Sequence, residues 1–228
     1  MITITTTDTL SCVEVNPDGT PAAAVIWLHG LGADGHDFES IAPRLQSQLQ
    51  IPTRFIFPHA PHRPITINGG YVMRAWYDIA AFNIAHAEDA DGIHTSARQV
   101  DILVQREIRS GITARHIVLA GFSQGGAIAL HAGLRYPQRL AGIIVLSSYL
   151  PLPATVPTER NPANFDIPIF MGHGDEDMVV RLQYALDSER RLQELGYTVE
   201  WHRYDMQHSI CNEEVDDIGA WLTRTLAV

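Results

Sequence analysis

The chain has 228 residues, enough for one domain with a substantial core and short for two. Hydrophobic residues make up 46% and charged residues 18%, an ordinary globular balance that argues against a disordered chain. Acidic side chains outnumber basic ones 26 to 16, and the net charge of −10 argues against nucleic acid or anionic membrane surfaces as partners, because like charges repel.

The start, MITITTTDTLSCVEV, has neither a positive leader segment nor an apolar one, so a secretory signal is not expected. No apolar run approaches the length of a bilayer span. The two cysteines, Cys12 and Cys211, have no metal or CxxC spacing and are too few for a disulfide scaffold. A reduced, cytoplasmic setting is the expectation.

In chain order, strands are predicted over Ile2–Thr6, Cys12–Val15, Ala23–Leu28, Thr53–Phe57, His116–Ala120, Gly142–Leu146, Pro168–Met171 and Thr198–Tyr204. The first two alternate apolar and polar residues, as a half-exposed antiparallel edge does. The later ones are continuous Val/Ile/Leu runs, as strands covered on both faces are. Helices are predicted over Asp37–Gln48, Thr95–Ser110, Gln124–Tyr136, Arg181–Leu195 and Glu213–Leu226. Ala97, Val100, Ile102, Leu103, Val104 and Ile108 recur near period 3.6, and Gly196 follows its helix as a left-handed stop. The alternation gives an α/β fold: a mostly parallel sheet with an antiparallel N-terminal edge and helices on both faces. Residues 1–228 read as one domain. Two irregular stretches, Pro58–Gly92 and Pro151–Asp166, read as surface excursions, and the first is expected to border a site.

The segment LAGFSQGGAIAL places Ser123 between a strand and a helix, inside Gly121-Phe122-Ser123-Gln124-Gly125. This is the nucleophile elbow, Gly-x-Ser-x-Gly, whose sharp turn holds the serine hydroxyl over the strands' carboxyl ends. A serine hydroxyl is a weak nucleophile and needs a general base with an orienting acid behind it. Hydrolases built this way carry Ser, then the acid, then His in chain order. After one strand comes HGDEDMVV and after the next comes DMQHSI, which supply Asp177 and His208. Asp175 and Glu176 remain alternatives for the acid, and His173 and His202 for the base. An oxyanion hole needs two N–H donors; Gln124 follows the nucleophile, and Leu31 in the turn His29-Gly30-Leu31-Gly32 is the second candidate.

Taken together, LHGLGADGHDF, FPHAP, TINGGYVMRAWYDI, LAGFSQGGAIAL, LSSYLP, HGDEDMVV and MQHSICNEE resemble the carboxylesterase/acyl-protein thioesterase (phospholipase/carboxylesterase) family of α/β-hydrolases. The blocks run in family order over nearly the whole chain. Position by position, the resemblance implies Ser123 as nucleophile, Asp177 and His208 as its triad partners, and Leu31 and Gln124 as oxyanion donors. It favours Asp177 over Asp175. It also implies an α/β-hydrolase fold, hydrolysis of carboxylic esters, lysophospholipids or acyl-protein thioesters, and a homodimer as a recurrent assembly. No cofactor and no metal are called for. Met178 departs from the pattern, because many members carry proline there.

For the acyl chain, an apolar groove is expected from Ile65, Ile67, Met73, Trp76, Tyr77 and Phe82 of the excursion, with Met178 and Val179 of the acid loop. A lactonase of the dienelactone type would more often carry cysteine at the elbow. A non-catalytic binding protein on this fold would typically lack one triad member, and all three candidates are present. A metal site would need a spacing such as HExxH, which is absent.

Overall fold

The computed structural model describes residues 9–81 and 88–227. The expected strand Ile2–Thr6 and the expected groove residue Phe82 lie outside the described residues. Among the described residues nine strands follow in order: β1 Cys12–Val15, β2 Ala23–Leu28, β3 Thr53–Pro58, β4 His62–Ile65, β5 Tyr71–Arg74, β6 Ile117–Phe122, β7 Gly142–Leu146, β8 Ile169–Gly174 and β9 Val199–Tyr204. Seven form one sheet in the order β1-β3-β2-β6-β7-β8-β9. Only β1 runs antiparallel there, paired with β3 through Cys12–Pro58 and Val15–Phe55.

The helices are α1 Ala42–Gln46, α2 Ala90–Arg109, α3 Gln124–Arg135, α4 Val156–Glu159, α5 Leu182–Glu194 and α6 Asn212–Leu226. The strand β2 explains the two-layer cover. Its six residues, AAVIWL, are all buried; Ala24, Ile26 and Leu28 join the core beneath α2 and α3, while Ala23, Val25 and Trp27 join the core beneath α6. A strand alternates its side chains, so a continuous apolar run requires a helix layer on each side.

The expected helix Asp37–Gln48 is instead a 3-10 turn, Glu39–Ile41, followed by the short α1. Pro43 has no N–H to donate and fits only within the first turn, so the helix begins around it. By contrast, α2 begins at Ala90, five residues ahead of the expected start. The Asp89 side chain accepts the Gly92 N–H at 2.9 Å, an N-cap that the small polar sequence had disguised as loop. The excursion Pro58–Gly92 is not irregular throughout: β4 and β5 pair as an antiparallel hairpin outside the main sheet. No helix among the described residues is long and apolar enough to cross a membrane.

Candidate active site

The strand β6 ends at Phe122 and α3 begins at Gln124, so Ser123 must reverse the chain alone. It does so at φ 53°, ψ −121°, a left-handed φ that an L-residue rarely adopts. Three contacts hold it there: its N–H donates to Leu146 O at 2.8 Å, its carbonyl accepts the Ala127 N–H at 3.2 Å, and it accepts the Ser148 hydroxyl at 2.6 Å. The glycines act by size. A Cβ on Gly125 would collide with the Leu28 carbonyl, and one on Gly121 with the backbone of Gly125, so the turn closes only without side chains at those two positions.

The turn aims the hydroxyl at His208, in the loop after β9. His208 Nε2 lies 3.0 Å from Ser123 Oγ, and His208 Nδ1 lies 2.7 Å from Asp177 Oδ2. The Phe122 ring packs against the imidazole at 4.7 Å between centroids. Asp177 is buried, and its other oxygen, Oδ1, accepts the N–H groups of Val179 and Val180, each at 2.9 Å. Burial alone would raise its pKa. The hydrogen bond and positive charge available from His208, with the two N–H donors, outweigh burial and hold the carboxyl below its usual range.

The alternatives left open by sequence fall elsewhere. Asp175 pairs with Arg203 at 2.6 Å. His173 is fully buried, donates from Nε2 to Val180 O at 2.8 Å, and so braces the loop that carries Asp177. His202 stacks on Phe170 at 4.8 Å and sits between Glu200 and Asp217. Glu176 is exposed.

The turn after β2 supplies the facing wall. His29 is buried and donates from Nδ1 to Gly30 O at 2.7 Å, while its Nε2 accepts the Ala60 N–H at 3.0 Å. One ring nitrogen donates and the other accepts, which requires a neutral imidazole, and burial lowers its pKa to about 4. Leu31 follows in this turn, and the Gly32 N–H is already engaged with Arg74 O at 2.9 Å. Among the described residues, neither the Leu31 nor the Gln124 N–H donates to a protein acceptor. Both residues border the same cavity as Ser123 and His208.

That cavity has a volume of about 400 Å³. Of the expected acyl-groove residues, Tyr77, Val179 and Ile67 line it. Trp76 and Ile65 do not; both are fully buried. Trp76 is instead a strut: its indole N–H donates to His29 O at 2.8 Å, its backbone N–H donates to Gln124 Oε1 at 2.8 Å, and its carbonyl accepts the Ser96 hydroxyl. The Gln124 amide then donates to Tyr77 O at 2.7 Å, so one side chain at the elbow clamps the excursion in place. Met73 lies over Gly32, and Met178 is 80% exposed outside the cavity lining. Both are drawn off by geometry: β5 turns Met73 toward the turn after β2, and the two N–H groups bonded to Asp177 fix the loop with Val179, not Met178, facing the cavity.

Sequence reasoning missed Tyr149, Glu88 and Ile79, which also line the cavity, and Ser148, which steadies the turn. The block LSSYLP was visible as a motif, yet nothing in its spacing announced that Tyr149 would meet Tyr77.

A family model, Phospholipase/Carboxylesterase, matches residues 11–226. The chain belongs to the phospholipase/carboxylesterase family. Acyl-protein thioesterase 1 of Neurospora crassa is 43% identical over 213 residues, covering 90% of this chain and 87% of that protein. The crystal structure of Arabidopsis thaliana SOBER1 superposes with a TM-score of 0.82 at 32% identity, covering 90% of this chain and 99% of that one. The crystal structure of Zea mays acyl-protein thioesterase 2 gives a TM-score of 0.83 at 30% identity, covering 95% and 99%. As a phospholipase/carboxylesterase family member with the α/β-hydrolase fold, the chain is an enzyme of the hydrolase class.

Proposed function

We propose that this protein is a serine hydrolase of carboxylic esters and acyl thioesters, with Ser123 as nucleophile, His208 as general base and acid, Asp177 as the orienting carboxylate, and the N–H groups of Leu31 and Gln124 as the oxyanion hole. The observation that carries this reading is the unbroken hydrogen-bond chain from Ser123 through His208 to Asp177, opening on a largely apolar cavity.

The steps follow from the geometry. His208 Nε2 accepts the Ser123 proton as Oγ bonds to the substrate carbonyl carbon, and the carbonyl π electrons move onto oxygen. The Leu31 and Gln124 N–H groups take up that negative charge; losing one such donor typically costs about a hundred- to a thousandfold in rate. Asp177, held ionised, steadies the imidazolium and fixes the proton on Nδ1. Collapse of the tetrahedral intermediate expels the alcohol or thiol, which leaves with the His208 proton, and an acyl-serine remains. Water, deprotonated by His208, then releases the acid and restores Ser123.

The relatives named as acyl-protein thioesterases support acylated proteins as one substrate source, with small or lipid esters as others. One domain, working in the cytoplasm, completes the proposal. The test is turnover of p-nitrophenyl esters and of the matching acyl thioesters by wild type and by Ser123→Ala. Brisk wild-type turnover that vanishes in the variant is expected. A variant that keeps its rate would remove Ser123 from the nucleophile's role.

A further inference from the structure

The cavity is lined by apolar side chains, Ile67, Ile79, Phe122 and Val180 among them, and by polar ones that include Asp37, Asn68, Asp78 and a pair of tyrosines. Tyr77 and Tyr149, both buried, face each other with hydroxyl oxygens 2.7 Å apart, and Glu88 lines the same cavity. Tyr149 and Glu88 also line a second cleft of about 200 Å³, whose lining contains neither Ser123, His208 nor Leu31. The tyrosine pair borders the cavity that holds Ser123 and His208, and Tyr149 also borders the second cleft.

Two hydroxyls carry two protons, and one hydrogen bond between them uses one. Whichever tyrosine donates, the other keeps a proton for which no protein acceptor exists among the described residues. Glu88 does not take it: both its oxygens accept the Leu152 N–H, at 3.0 Å each, and neither tyrosine bonds to it. Burial raises both phenol pKa values, and nearby Glu88 adds to this, so the protons stay on. A methylene chain laid against this pair buries the spare donor unpaired. A chain with an acceptor oxygen there satisfies it.

We propose that the Tyr77–Tyr149 pair is a specificity determinant that selects acyl groups carrying an uncharged oxygen, keto or ether, along the chain over plain alkyl groups of equal length. This rests on the hydrolase reading above for the identity of the ligand as an acyl group. Glu88 disfavours chains that end in a carboxylate. A uniformly apolar pocket would do the opposite, because a keto group loses its hydration on entry and gains nothing.

Methyl heptanoate and its 4-, 5- and 6-oxo derivatives test the proposal, titrated calorimetrically into Ser123→Ala protein so that binding is read without turnover. At least one oxo ester should bind about tenfold tighter than methyl heptanoate, in line with sites whose polar groups are left unpaired by the deoxy analogue. Adding Tyr77→Phe or Tyr149→Phe alone should preserve the preference, since the remaining hydroxyl still offers its proton. Adding both should reduce it below about twofold and tighten methyl heptanoate. Equal or tighter binding of methyl heptanoate over all three oxo esters overturns the proposal, and that comparison needs no variant at the tyrosines. Persistence of the preference in the folded double variant overturns it as well. Wild-type inactivity toward every p-nitrophenyl ester would sink the hydrolase reading instead, a separate result from either binding ratio.

Discussion

The Ser123 turn and the Asp177 loop both place a side chain above the carboxyl end of the sheet, and they do so by opposite means. The turn holds Ser123 under backbone strain, at φ 53°, and needs Gly121 and Gly125 to vacate space around it. Asp177 keeps an ordinary negative φ, and the carboxylate organises its own surroundings by accepting two N–H groups within three residues. The first arrangement depends on what is missing, and a single added methyl blocks it. The second depends on an acceptor group and its charge, and removing the charge weakens its hold on the loop and costs the histidine its orientation.

The largest expected effect attacks the turn's product: Ser123→Ala should lower kcat on p-nitrophenyl butyrate by about 10⁴- to 10⁶-fold with little change in KM. Asp177→Asn tests the loop. It keeps the shape, loses the charge and disfavours the required tautomer of His208, so kcat should fall about 10⁴-fold while the thermal midpoint drops by only a few degrees. A loss under about tenfold would mean that Asp177 does not orient the base.

Gln124→Ala asks whether the turn also anchors the excursion. It strips partners from the Trp76 N–H and the Tyr77 carbonyl, both in buried surroundings, and should cost about 2–4 kcal/mol in urea unfolding. Its own backbone N–H survives, so kcat should suffer far less than stability.

A pH-dependent effect concerns Glu214, at the start of α6 below β8, fully buried with neither carboxyl oxygen partnered among the described residues. Burial, with Asp217 adding to it, raises its pKa to about 8. An unfolded glutamate gives up its proton near pH 4.3, so the unfolded chain holds fewer protons between that pH and about 8, and stability falls as pH rises across the window. Glu214→Gln should flatten that slope, showing a higher thermal midpoint than wild type at pH 8 and a similar one at pH 4. Parallel pH profiles would contradict it.

The sequence determined the order and kind of the central elements. AAVIWL and GIIVL read as strands covered on both faces because a strand alternates its side chains and a continuous apolar run then leaves no polar side. The serine between glycines was equally legible, because the restriction is local to five residues. Tertiary structure decided which acid and which histidine stand beside Ser123. Those contacts link residues 85 and 31 positions apart in sequence, and they depend on β8 and β9 lying beside one another at one end of the sheet. It also decided that Trp76 is a buried strut while Tyr77, the next residue, faces the cavity and meets Tyr149. Local pattern sets what a residue prefers to do with water; the strand order and the close approach of backbones set which distant residue it meets.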